Sequence, residues 1–146
     1  MKLMHKTLAI AMTTALATGL PFAACAQGNP GTEVATAHAH ALMAQGADSV
    51  AMTHTHLHHV VNCLVGTKGA GFDASAGNPC KDQGNGAIPD SVADHALHAK
   101  LGKALAAAQA GLKSQSLSDA QHDAGKAAKI LQAASTPKPK TGSSSW

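Results

Sequence analysis

Residues 32–64 read TEVATAHAHALMAQGADSVAMTHTHLHHVVNCL, and the periodicity of this stretch decides the fold. At about 100° per residue, Ala39, Leu42, Met43, Gly46, Val50, Thr53, Leu57, Val60, Val61 and Leu64 fall in one arc. That arc is the stripe of a helix with one buried face. Gly46 weakens or kinks the middle, so the stretch is either one long helix or two. Beyond it, residues 66–89 hold Gly66, Gly69, Gly71, Gly77, Gly84, Gly86, Pro79 and Pro89. This composition predicts a loop longer than an ordinary connector. A second helix is expected from Asp90 or Ser91, where Ser91-Val92-Ala93-Asp94 resembles a capping box. Its apolar face is Leu97, Leu101, Ala104, Leu105, Ala108 and Leu112. Ser118-Asp119-Ala120-Gln121 opens a third helix to about Ala134, with a stripe of Ala120, Ala124, Ala127 and Leu131. The expected class is all-α: a small helical bundle, or a helical hairpin plus a third helix, with a disulfide-anchored loop.

The two ends read differently. Lys2, His5 and Lys6 precede an uncharged apolar run from Leu8 to Leu20, then Pro21 and the small-residue site Ala24-Cys25-Ala26. This is the three-part pattern of a secretory signal peptide over residues 1–26. Phe22-Ala23-Ala24-Cys25 also matches an outer-membrane lipoprotein signal, with Cys25 lipidated. The apolar run falls short of the ~20 residues of a membrane span, and no later stretch reaches it. Residues 27–31 read as a flexible leader, 32–134 as the helical domain, and 135–146, with Pro137, Pro139 and a Ser run, as a disordered tail. The expected location is periplasmic or secreted. Export leaves Cys63 and Cys80 as an even pair in an oxidising compartment, which favours a disulfide. Closing that loop contributes on the order of 3 kcal/mol in the chain-entropy picture.

Composition excludes several functions. The chain has 146 residues, 2% aromatic and 13% charged, with 10 His. It is too short for a large enzyme core. All its basic residues are Lys and it has no Tyr, so Arg-to-base contacts and aromatic stacking lack their residues and nucleic acid is not an expected partner. Removing Lys2 and Lys6 with the signal brings the net charge of +3 close to neutral. Leu, Ile, Val and Phe in the remainder fall below the ~20% at which disorder becomes a concern, and Ala carries the apolar content. Such a fold calls for help from a disulfide, a ligand or self-association.

Histidine is the residue type that points at chemistry. His54 and His58 are at i,i+4, a spacing that lets two imidazoles meet one ion on a helix face. His40 shares their flank of the wheel, while His38 and His56 lie on the other flank near Cys63. The second helix adds His95 and His98, with Asp94 placed to orient His98 or supply a carboxylate. Antiparallel packing would set His54 and His58 opposite His95 and His98, as in metal-binding bundles. His54, His58, His95 and His98 are therefore the primary candidate ligands, with His40, His56 and Asp94 as lesser ones. His38 and His59 are auxiliary or surface, and His122 is surface. Imidazole suits Cu, Zn, Ni or Co, with Cu or Zn favoured. Met43 and Met52 add some support for Cu(I).

Other motifs fail. No Cys-x-x-Cys-His attaches haem, although haem held by two His without a covalent link stays open. The sole Glu, Glu33, lies far from the His cluster, which rules out a zincin. Residues 82–88 resemble part of an EF-hand, but the register puts Lys81 and Val92 where Asp and Glu are required. No nucleophile elbow is present, so an enzyme is not expected. In size, export and His-bearing helices the chain resembles the small His-rich periplasmic metal-binding proteins of bacteria. That resemblance implies sequestration or delivery of a transition metal and carries over no residue assignments. The alternative is a non-catalytic cell-envelope protein whose histidines titrate between about pH 5 and 8, with a protein partner or self-association at loop 66–89.

Overall fold

The computed structural model describes residues 28–136. The stretch 1–26, read above as a signal peptide, lies outside the described residues, as does the expected tail of 135–146 from 137 onward; Ser135 belongs to the last helix instead of to that tail. Five helices run in the order α1 (Pro30–Gln45), α2 (Val50–Val65), α3 (Ala87–Asp90), α4 (His95–Lys113) and α5 (Leu117–Ser135). A single 3-10 turn spans Ala74–Ala76. No strand occurs among the described residues. The fold is all-α, as the periodicity predicts.

The four long helices form an up-down-up-down bundle in which sequential neighbours pack, and α5 closes against α1. Register is visible in single contacts. Gln121 donates to the Ala47 carbonyl at 2.7 Å, and Lys100 reaches the Ala133 carbonyl at 3.1 Å. α2 supplies most of the large core side chains: Leu57, Val60, Val61 and Leu64, all fully buried. Leu101 of α4 and Leu131 of α5 meet them. The other helices contribute mainly Ala: Ala37, Ala41 and Ala44 from α1, Ala104 and Ala108 from α4, Ala124 and Ala127 from α5. Each buried Leu stabilises by about 1.5–3 kcal/mol and each Ala by much less. The bundle is therefore held by a few α2 residues among closely approached backbones.

The stripe predicted for α2, α4 and α5 is the buried one; the stripe for α1 is not. Leu42 and Met43 are half exposed and Ala39 is exposed, while Glu33, Val34, Ala37, Ala41 and Ala44 are buried. The cause is the break at residues 46–49. The Ser49 side chain caps α2 by accepting from Met52 N, so the helical phase restarts there. Extrapolating one wheel back through Gly46 turned α1 by the wrong angle. Helix starts shift similarly. α1 begins inside the expected leader, at Pro30, behind an Asn29 cap. α4 begins at His95 behind an Asp94 cap, and α5 begins at Leu117 behind Ser116.

Loop 66–86 is ordered by side chains from the bundle. The Cys63–Cys80 disulfide forms, with Cα atoms 5.2 Å apart. Beside it, buried Asn62 donates through Nδ2 to the Asp73 and Gly77 carbonyls at 2.7 and 2.6 Å and accepts from Asp73 N at 2.8 Å. On the α1 side, Glu33 Oε1 accepts from Gly86 N at 2.7 Å. Gly66 turns the chain at φ +67°, where a Cβ would collide with the Asn85 carbonyl. The loop is thus an excursion fixed on both flanks, and it brings the Ala76 carbonyl back over α2.

Candidate metal centre

α1 and α2 form an antiparallel hairpin about the 46–49 turn. His40 and His56 are equidistant from Asp48, so they face each other across it. His59 follows His56 at i+3 on the same flank of α2. Three Nδ1 atoms converge as a result. His40 Nδ1 lies 3.2 Å from His56 Nδ1 and 3.3 Å from His59 Nδ1. The His40 and His59 rings meet edge to face with centroids 4.6 Å apart. All three residues are partly buried, and together they are the one group of three or more potential ligands found among the described residues.

The ring orientation is set from behind. His59 Nε2 lies 2.7 Å from the Ala76 carbonyl. A carbonyl only accepts, so Nε2 carries a proton, and in the tautomer this selects the Nδ1 lone pair is the one that faces His40. A ring N–H held by a carbonyl is the usual device for orienting a metal-binding imidazole. Burial, with the neighbouring His59 and His56 rings, pulls His40 down to about 4. Burial and His59 lower His56 too. These rings stay neutral at pH 7, the form that binds metal. Nitrogens bound tetrahedrally at about 2.0–2.1 Å from one ion sit about 3.3 Å apart. The two spacings from His40 match that value, so the three rings are close enough to hold one metal ion.

The four primary candidates from the sequence do not come together. His54 Nε2 donates to the Ser114 carbonyl at the end of α4, at 2.9 Å. His58 Nδ1 lies 3.4 Å from Asp73 Oδ2, in ion-pair reach but outside hydrogen-bond geometry. The Asp73 carboxyl is held below its usual range chiefly by the Ser75 hydroxyl and N–H, and only weakly by His58. His98 Nδ1 lies 3.1 Å from the Ile88 carbonyl and 3.3 Å from Ser91 Oγ, which ties α4 to α3. His95 is exposed at the first position of α4, and Asp94 spends its carboxylate on the Leu97 N–H. α2 and α4 are antiparallel, the packing that the facing of these histidines requires, but their register opposes His54 to Ser114. His98 lies about 24 Å farther along α4 at about 1.5 Å per residue. The helix cap and this register place His95, His98 and Asp94 away from the α2 histidines.

Of the lesser candidates, His40 and His56 are in the cluster, and His59, read from sequence as auxiliary, completes it. The usable signals were the His56–His59 spacing and a hairpin centred on Asp48. His122 is exposed, as expected. The fold and site define a disulfide-pinned four-helix bundle with a three-imidazole cluster on one hairpin. Comparisons with protein-family models, curated proteins and solved structures each find no match.

Proposed function

We propose that this is an exported protein that binds one transition metal ion through Nδ1 of His40, His56 and His59, for sequestration or delivery and without catalysis. The observation that carries this is the convergence of three Nδ1 atoms at 3.2 and 3.3 Å, with His59 turned by the Ala76 carbonyl. Without an ion, one Nδ1–H on His40 has to be shared between the His56 and His59 nitrogens. A cation gives every lone pair a partner. Three protein ligands leave a fourth position for water or a delivery partner, the arrangement of an exchangeable site. The disulfide supports export. No helix among the described residues is long and apolar enough to cross a membrane.

The test is equilibrium dialysis against mixed Cu, Zn, Ni and Co with a weak competing chelator. Retention of one ion per chain is expected, falling to background in His40→Ala. Retention of none, or retention that persists in His40→Ala, counts against the proposal.

A further inference from the structure

Met43 and Met52 lie one helical turn from the triad, toward the 46–49 turn. Met43 follows His40 at i+3 and Met52 precedes His56 by four residues, the spacings at which helix side chains are neighbours. His40 and His56 meet across the hairpin, so one turn nearer the loop Met43 and Met52 occupy matching register positions on α1 and α2. Both are exposed, at 50% and 47%, and neither belongs to the core. The disulfide removes Cys63 and Cys80 as thiolate donors. Met43 and Met52 are therefore the remaining soft donors among the described residues, and each is the helical neighbour of a triad imidazole, Met43 of His40 and Met52 of His56.

Resting on the triad reading, we infer that Met43 and Met52, with the adjoining imidazoles of His40 and His56, form a Cu(I)-selective station continuous with the triad. Thioether sulfur is neutral, polarisable and soft. It binds Cu(I) well and contributes little to Zn(II), Co(II) or Ni(II), which prefer imidazole and oxygen. Three imidazoles alone accept any of these ions; two thioethers one turn away tilt the hairpin toward Cu(I). Their half exposure places them at the solvent end of the site, where an incoming ion or a delivery partner meets them first. The ion enters and leaves as Cu(I), so no electron transfer is involved.

The test compares the parent chain with Met43→Leu/Met52→Leu and with His40→Ala. Each is titrated anaerobically with Cu(I) against bicinchoninate, and separately with Co(II). Leu matches Met in volume at these half-exposed positions, and retained Co(II) binding reports an intact fold. Met1, Met4 and Met12 are present in every chain and cancel in the comparison. The double methionine variant is expected to lose at least about tenfold in Cu(I) affinity and to keep Co(II) affinity within about twofold. Equal Cu(I) affinity in the parent and the double variant, with Co(II) bound by both, overturns the methionine station and leaves the triad standing. A parent that binds no Co(II), or binds it equally after His40→Ala, overturns the triad and this inference with it.

Discussion

The two flanks of α2 carry the same residue type in opposite circumstances. On one flank His54 donates to the last carbonyl region of α4 through Ser114, and His58 faces Asp73. On the other flank His56 and His59 turn nitrogens toward His40. A neutral imidazole has one donor and one acceptor. Where a carbonyl takes the donor of an isolated ring, the histidine is a strut. Where the carbonyl takes it from behind and the other nitrogen meets a second ring, the group is close enough to others to hold a metal ion. Spacing along α2 does not separate these cases, because both flanks offer i,i+3 or i,i+4 neighbours. The partner helix separates them.

The comparison breaks most visibly at the disulfide. Cys63→Ser/Cys80→Ser is expected to cost on the order of 3 kcal/mol of stability by urea denaturation. It should also weaken metal binding, because the loop that holds Ala76 over His59 loses an anchor. His59→Ala is expected to lower Co(II) affinity at least about a hundredfold, about 2.7 kcal/mol, and to cost about 1 kcal/mol of stability with the Ala76 hydrogen bond. His54→Ala should cost about the same stability with the Ser114 hydrogen bond but leave Co(II) affinity unchanged within about twofold. Equal effects of His54→Ala and His59→Ala on affinity would erase the distinction between the flanks.

Much of the bundle was legible and the site only partly so, for physical reasons. α2, α4 and α5 each have an uninterrupted period, so Leu57, Leu101, Ala124 and Leu131 could be placed in the core from their spacing. α1 could not, because the turn at 46–49 resets the phase. The cysteine pair was legible from compartment chemistry. The anchoring of the loop by that disulfide was legible with it; its ties through Asn62 and Glu33 were not, since those side chains reach residues far along the chain. In the site, His56 and His59 are a local signal, whereas His40 joins them only through hairpin register. His98 looked like a ligand because nothing in the sequence shows that the Ile88 carbonyl takes its proton.

A smaller effect concerns the seam beside the triad flank. Glu33 is buried and pushed up to about 7, first by burial, with Asp90 adding to it against the Gly86 hydrogen bond. Its folded value stands above the unfolded 4.5. The protonated form's contribution is therefore complete below pH 4.5 and is lost as pH rises through about 7. Amide exchange at Asn85 and Gly86 should quicken across that range beyond its intrinsic pH dependence, while the Ser114 end of α4 does not follow. Glu33→Gln should remove the step. The smallest expected effect is that of His95→Ala, which should change neither stability nor metal affinity measurably.

The central claim is that Nδ1 of His40, His56 and His59 are the metal-facing atoms. Long-range proton–nitrogen NMR of the imidazole rings, with one equivalent of Zn(II) added, reads each nitrogen separately. The Nδ1 signals of those three rings are expected to move together to metal-bound positions, while His59 Nε2 stays protonated and His54 is unmoved. Movement instead at His54, His58, His95 or His98, or at no ring, would contradict it.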